Sequence, residues 1–145
     1  MSAAATNKVS PAEYAQAPDY DGIRVNPAIP VGEVEAWKRE AIKKIIGYAS
    51  LAPNWDSHGS RAPSRPVIQT AIELVRGIPI PTLPVPRVVP VSGGGYHLEW
   101  ALGDRELEVS IDARCQIEAL RVDNGVPSEA EAVTDVPALF GWLTH

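Results

Sequence analysis

The chain has 145 residues, a length that suits one domain, and 45% of them are hydrophobic, enough for a modest core. The formal net charge of −5 disfavours a direct nucleic-acid partner, which needs clustered lysine and arginine, and favours a basic partner or simple solubility. One cysteine excludes an internal disulfide and a cysteine-based zinc site, and no run of 18 apolar residues is present, so we expect a reducing, cytoplasmic setting and no membrane partner.

The N-terminal region, residues 1–31, is rich in alanine and proline and shows no sustained hydrophobic period, which predicts a flexible tail. Residues 32–145 are expected to form a single domain. Its first element is an amphipathic helix over 32–51, because apolar residues recur there at steps of three and four. These apolar positions are Val34, Trp37, Ala41, Ile45, Tyr48 and Ala49.

A second helix is predicted from Ser64 or Arg65 to Arg76. The hydroxyl of Ser64 can accept an orphan backbone N–H at the helix start, and Pro66 is tolerated because it falls in the first turn. Gly77 is placed to end the helix in the left-handed conformation. A proline-rich, extended connector then leads away from this helix.

Beyond the connector the hydrophobic period changes to two, which predicts β-strands. A glycine-rich turn separates the first two strands, and the dipeptide "GD" at 103–104 is a hairpin signal between the second and the third. Residues 123–133 are polar and loop-like, and 134–145 fit a short helix capped by Thr134 or Asp135. Strands are expected at 87–91, 96–102, 105–111 and 115–122.

These elements predict an α+β fold in which two N-terminal helices pack on a four-stranded antiparallel meander and a short C-terminal helix ends the domain. Side chains alternate across a strand, so one sheet face is predicted to be apolar and the other polar. With the turn at 103–104, Glu99 faces Glu108, and with 112–114 as the next loop, Glu108 faces Glu118. The polar face is then expected to carry His97, Glu99, Glu106, Glu108, Ser110, Gln116 and Glu118.

A row of three glutamates across neighbouring strands places negative charges side by side, and their repulsion has to be offset. Like charges directly opposite each other destabilise a sheet by a few tenths to about 1 kcal/mol per pair. A basic protein partner, a metal ion or the chain's own arginines can offset that cost, and the alternative is a solvated face whose long side chains splay apart. A metal is disfavoured because a flat sheet spreads the oxygens that a hard cation needs.

The segment "LAPNWDSHGS" after the first helix allows a structural and a functional interpretation. In the structural one, Asn54 or Asp56 accepts backbone N–H groups. Gly59 then takes a left-handed turn, and Trp55 fills the core between helices and sheet. In the functional one, Asp56 and His58 form an acid–base pair or bind a metal.

The motifs "NWDSHG", "PRVVPVSGGGYHLEW" and "RELEVSID" follow one another within residues 51–112. Together they resemble a family of small, uncharacterised bacterial and phage proteins with an Asn-Trp-Asp-x-x-Gly loop followed by a Gly-Gly-x-x-Leu-Glu-Trp strand. The resemblance implies that the loop and Glu99/Glu108 belong to one constellation. This chain has Ser60 where alanine is common in the family. It has His58 where an aromatic residue is common, and this second difference argues against His58 as an essential base. The matching positions are Asn54, Trp55, Asp56, Gly59, Pro90, Gly94, Gly95, Leu98, Glu99, Trp100, Leu107 and Glu108.

The leading hypothesis is a non-enzymatic, cytoplasmic protein-binding module that meets a basic partner surface through its polar sheet face and needs no cofactor. Small acidic proteins from phage or mobile elements often act as inhibitors, antitoxins or immunity factors, and this analogy favours the same role here. The residues expected to contact the partner are Glu99, Glu106, Glu108, Glu118 and His97.

Two alternatives belong to other classes of protein. The first is a metal-dependent hydrolase that uses Asp56, Glu99 and Glu108, with His58 or His97. The second is an oligomer-forming structural domain. In such a homodimer, a free edge strand at 87–91 or 115–122 pairs with a second copy.

Overall fold

The computed structural model describes residues 35–145, which form an α+β fold around one antiparallel sheet, so the predicted fold class is confirmed for this part of the chain. The predicted tail over 1–31 and the predicted helix start at 32 lie outside the described residues. None of the helices within 35–145 has the length and apolar character needed to cross a bilayer. The helices are α1 (Ala36–Gly47), α2 (Arg65–Arg76) and α3 (Val136–Thr144), and the strands are β1 (Arg87–Val91), β2 (Gly95–Leu102), β3 (Arg105–Ile111), β4 (Ile117–Asp123), β5 (Val126–Pro127) and β6 (Glu131–Ala132).

The first helix ends earlier than the sequence predicts. α1 stops at Gly47, and a short 3-10 helix over Tyr48–Ser50 follows it. Leu51 then takes an extended conformation, with φ −60° and ψ 137°, two residues before Pro53, which has no N–H with which to continue a helix. The predicted apolar stripe is buried along α1 at Trp37, Ala41 and Ile45.

The second helix has the predicted bounds but not the predicted end signals. Ser64 occupies the capping position, yet its side chain makes no capping hydrogen bond. The prediction of a left-handed stop at Gly77 is wrong, because this residue is right-handed, with φ −81°. The Lys38 ammonium from α1 instead donates to the carbonyls of Arg76 (3.1 Å) and Ile78 (2.6 Å). A cation at the C-terminal end of a helix is favourable, so a side chain from another helix completes this end.

The sheet of the described residues has six strands rather than the predicted four. β1 to β5 are neighbours in chain order, and β6 also pairs with β4. The two extra strands have two residues each and lie in the segment 123–133 that the sequence predicts as a loop. Two residues are too few to show an alternating pattern. Because β5 and β6 pair with β4, the prediction that 115–122 is a free edge strand is wrong.

The predicted pairing is correct between β2 and β3 but not between β3 and β4. Glu99 lies opposite Glu108 as expected. Glu108 faces Leu120 on β4, and Glu118 faces Ser110. The predicted row of three glutamates is therefore not formed.

The turn between β3 and β4 explains this shift. Cys115 has a left-handed backbone conformation, with φ 65°, and its N–H donates to the Asp112 carbonyl. The Asp112 carboxylate accepts hydrogen bonds from the N–H groups of Arg114 and Gln116. This turn is two residues longer than predicted, so each side chain keeps its predicted face while its partner changes.

The helices pack on one face of the sheet, around Trp100. The Trp100 ring meets Trp37 of α1 edge-on at 6.3 Å between ring centroids and Phe140 of α3 at 4.8 Å. α3 begins as predicted, because the Asp135 carboxylate accepts the Ala138 N–H at 3.0 Å. This packing leaves the opposite face of the sheet turned away from all three described helices.

Candidate functional site

The sheet surface opposite the described helices, called the outer face below, carries all the glutamates predicted as partner contacts. Alternation along β2 and β3 sends Leu98, Trp100 and Leu107 into the core and the residues between them to the outer face. In strands β1 to β4 this face has four glutamates and one arginine. Its residues include Arg87, Val89, His97, Glu99, Ala101, Glu106, Glu108, Ser110, Glu118, Leu120 and Val122.

Three side chains, His97, Glu99 and Glu108, form a cluster on the outer face. Nε2 of His97 lies 2.9 Å from Oε2 of Glu99 and 3.7 Å from Oε1 of Glu108. One nitrogen or oxygen atom from each of the three residues lies within 4.8 Å of the other two. The side chains are 23%, 34% and 32% exposed. The three side chains converge because His97 and Glu99 are two residues apart on β2 and Glu108 is the cross-strand partner of Glu99.

Two further residues, Ser110 and Arg87, contact the cluster, and the sequence did not assign either of them to it. Nδ1 of His97 lies 3.3 Å from the hydroxyl oxygen of Ser110, its cross-strand partner. Nη1 of Arg87 lies 3.6 Å from Oε2 of Glu99, its partner on β1. The turn at 103–104 that pairs Glu99 with Glu108 also pairs His97 with Ser110. The contact between His97 and Ser110 could therefore have been predicted from the sequence. The glycine-rich turn before β2 has no fixed length from which the position of Arg87 could be predicted.

Glu106 and Glu118 share the outer face but not the cluster. Glu106 lies between Ala101 on β2 and Val122 on β4. Glu118 is next to Ser110 and, on its other side, to β6. The outer face is therefore a broad acidic surface with one concentrated centre.

The loop after α1 is held closed by its own side chains. The Asn54 side-chain oxygen accepts the Gly59 N–H at 2.7 Å, and Gly59 has the expected left-handed backbone, with φ 83°. Oδ1 of Asp56 accepts the N–H groups of His58 at 2.9 Å and Ser60 at 3.2 Å. These contacts are those of the structural interpretation, in which Asn and Asp side chains bond to the following backbone.

Trp55 does not fill the core as predicted. Its indole N–H donates to the Arg61 carbonyl at 3.1 Å, and its side chain is half-exposed. Among the described residues, Trp37 and Trp100 are the buried tryptophans. Trp55 therefore braces its own loop from outside the core.

The Asp56 carboxylate also ties this loop to the sheet. It accepts the Ser92 hydroxyl at 2.6 Å, and the Ser60 hydroxyl accepts the Gly93 N–H at 3.0 Å. Hydrogen bonds from Ser60 and Ser92 hold the pKa of the Asp56 carboxyl well below its usual range. Nδ1 of His58 meets the backbone oxygen of Asp56 at 2.8 Å and not its carboxylate. A carboxylate with so low a pKa is a weak proton acceptor, so this geometry does not support an acid–base pair.

The loop and the outer-face cluster lie apart. Ser92, which bonds to Asp56, precedes β2, whereas Glu99 is four residues beyond Gly95, the first residue of that strand. At a rise of about 3.3 Å per residue these four residues span about 13 Å. The structure thus does not bring Asp56 beside Glu99 and Glu108, as the hydrolase hypothesis requires.

An open cleft of about 710 Å³ is lined by the loop and by the turns at the end of the sheet. His58, Arg61 and Ser64 line one side, and Ser92 and Gly94 line the other. This lining mixes a cation, hydroxyl groups, backbone and small apolar side chains, and it does not select one ligand class. The outer face is the more distinctive feature of the surface.

Comparisons with family models, curated proteins and solved structures find no match to this chain. The resemblance to small bacterial and phage proteins accordingly stays a prediction.

Proposed function

We propose that the protein is a non-enzymatic binding module whose outer face docks on a basic surface of a protein partner. The observation that carries this proposal is the composition of that face in β1 to β4, four glutamates and one arginine. Glu99 and Glu108 keep about a third of their side-chain surface exposed, so their charge reaches the solvent. Complementary charge accelerates association and selects against acidic partners.

Apolar side chains between the glutamates support the same proposal. Val89, Leu120 and Val122 are half-buried on the outer face. Protein interfaces combine an apolar centre with polar groups at the rim. A partner that covers these three residues places its own lysines or arginines beside the carboxylates. An arginine there can donate two parallel hydrogen bonds to one glutamate.

Within this proposal the protein acts in the cytoplasm as an inhibitor, antitoxin or immunity-type factor from a phage or mobile element. A face of carboxylates can cover the basic groove of a nucleic-acid-binding protein, because it presents negative charge as phosphates do. The support for this role is the acidic face together with the analogy to other small acidic proteins.

The two alternatives have less support from the contacts. The hydrolase needs Asp56 near the glutamates, and its carboxylate is instead engaged by Ser60 and Ser92. A homodimer through the edge of β1 is hindered, because Pro90 has no N–H to donate and the Tyr48 hydroxyl already donates to the Val88 carbonyl at 3.2 Å.

The double variant Glu99→Gln/Glu108→Gln tests the proposed function. Affinity capture from host lysate, quantified by mass spectrometry, is expected to find a basic protein with the wild-type chain and to lose it with this variant. The matched control Glu40→Gln/Glu73→Gln removes the same number of charges from α1 and α2 and is expected to keep the partner. High salt is expected to weaken capture, because it screens exposed charges.

Circular dichroism first establishes that both double variants fold. The captured protein is then purified and titrated against each of them. If it binds the Glu99→Gln/Glu108→Gln variant as tightly as the wild-type chain, the outer face is not the contact surface and the proposal fails.

A further inference from the structure

We propose that His97, Glu99 and Glu108 bind one divalent transition-metal ion of the zinc class. This inference goes beyond the proposed protein binding, because the ion would bind the chain without any protein partner. It starts from the distances within the cluster. Nε2 of His97 lies 2.9 Å from a Glu99 oxygen and 3.7 Å from a Glu108 oxygen.

The two distances from Nε2 of His97 are close to those between atoms that bind one ion. Zinc binds histidine nitrogen and carboxylate oxygen at about 2.0–2.2 Å. Two such ligands are therefore about 2.9 Å apart when they subtend a right angle at the ion and about 3.4 Å apart at the tetrahedral angle. The 2.9 Å and 3.7 Å separations span these values, and the three ligand atoms all lie within 4.8 Å of one another, so rotation of the glutamate side chains has to draw the two carboxylates around the ion.

The orientation of the His97 ring favours a metal at Nε2. Its other nitrogen, Nδ1, lies 3.3 Å from the Ser110 hydroxyl oxygen. In metal sites the histidine nitrogen that does not bind the ion is commonly held by such a polar group, which fixes the ring. Ser110 lies directly opposite His97 on β3, so the sheet itself sets this contact.

A positive charge between the two glutamates would stabilise their pairing. They are direct cross-strand partners, and like charges in that arrangement destabilise a sheet. Arg87 provides little of this charge, because its side chain is 68% exposed and its nitrogen remains 3.6 Å from Glu99. A divalent ion bound to both carboxylates neutralises their charges and so removes the repulsion between them.

The donor set selects the class of metal. Calcium and magnesium prefer sites made of oxygen, and calcium takes six to eight such ligands. Imidazole nitrogen suits zinc, copper, nickel and iron. One histidine and two carboxylates make a three-ligand zinc site that keeps a further position for solvent. All three residues stand on strands, which hold them in place before the ion arrives.

Titration of the purified chain with Zn²⁺ by calorimetry, and with Co²⁺ by visible absorption, tests the site. We expect one bound ion per chain and a loss of affinity of at least about tenfold in Glu108→Gln and in His97→Asn. Glu106→Gln removes one charge from the same face outside the cluster, and His58→Asn removes a histidine from the separate loop. Both controls are expected to bind as the wild-type chain does.

Ser110→Ala tests the positioning role of the hydroxyl. It is expected to weaken Zn²⁺ binding by about tenfold, and Ser110→Thr is expected to restore it, because threonine keeps the hydroxyl. Circular dichroism of every variant separates loss of the site from loss of the fold. Absence of Zn²⁺ binding by the wild-type chain overturns the proposal, and so does an equal loss in Glu106→Gln and Glu108→Gln. Neither result depends on a protein partner, so this proposal and the proposed function fail separately.

Discussion

Asp56 shows how one side chain fixes the position of a loop. Its carboxylate accepts backbone N–H groups from His58 and Ser60 and the hydroxyl of Ser92 on the turn before β2. The first two bonds shape the loop, and the third attaches it to the sheet. These contacts agree with the structural interpretation of the loop, in which Asp56 accepts backbone N–H groups, and not with its interpretation as half of an acid–base pair.

We expect Asp56→Asn to lower the melting temperature at neutral pH, because an amide oxygen accepts hydrogen bonds more weakly than a carboxylate. The hydrogen bonds lower the folded-state pKa of Asp56 below its usual value of 3.8. The ionised carboxylate therefore stabilises the fold above that value, and this contribution is lost as the pH falls from 3.8 toward the folded-state pKa.

Thermal unfolding of the wild type and Asp56→Asn across pH is the measurement for this prediction. The difference in melting temperature is expected to be steady near neutral pH and to shrink below pH 3.8. Asp104→Asn, an exposed aspartate in the β2–β3 turn, is the matched control and is expected to show little change. A difference that stays constant into strong acid would contradict the role given to the Asp56 charge.

Among the elements, the end of α2 depends on a residue of α1. Lys38 donates to two carbonyls at that end and lies 2.9 Å from the Glu35 carboxylate, with 8% of its side chain exposed. The sequence predicts that Gly77 ends this helix. The contact joins residues 38 and 40 positions apart, so no local pattern reveals it.

Lys38→Met keeps the length of the side chain and removes its hydrogen bonds. We expect it to lower the free energy of unfolding by about 1.5–3 kcal/mol, the usual value for hydrogen bonds to a charged group. Lys43→Met is the matched control on the same helix, where the side chain is 72% exposed and pairs only with Glu40 among the described contacts, and about 0.5 kcal/mol or less is expected. Urea unfolding measures both free energies. Equal losses in the two variants would contradict the stabilising role given to the buried hydrogen bonds of Lys38.

The sheet shows what a sequence can and cannot predict about elements. The β2–β3 pairing was predictable because a two-residue turn fixes it, and the Glu99–Glu108 contact came with it. The β3–β4 pairing was not, because Cys115 adopts a left-handed backbone that favours glycine and gives no signal in its own residue type. The residues of the outer face were still predicted correctly, because the pairing of β4 with β3 shifted by two residues and an even shift leaves each side chain on its face. The contacts among His97, Glu99 and Glu108 could not be predicted in the same way. Alternation tells which face of the sheet a side chain is on, but not how far apart the side-chain atoms lie.

Over the whole described molecule, both borders of the sheet are protected. β5 and β6 pair with β4 on one side. On the other, Pro90 and the Tyr48 hydroxyl leave β1 few free backbone groups. These features oppose the pairing of edge strands between two copies.

We therefore expect the metal-free chain to sediment as a monomer of 15.6 kDa over a wide range of concentrations. Sedimentation equilibrium at several loading concentrations measures this directly. A mass that rises toward twice this value with concentration would restore the homodimer, and Tyr48→Phe would then show whether the edge of β1 takes part.

The outer face also governs how copies of the protein behave in concentrated solution. Its half-buried Val89, Leu120 and Val122 are the kind of surface on which a second sheet can stack. The four glutamates among them give every copy the same sign of charge there, and colloidal repulsion keeps two such faces apart. That repulsion weakens as the solution approaches the isoelectric point, near pH 5.1. The carboxylates that would suit the proposed basic partner thus also oppose stacking between copies of the protein.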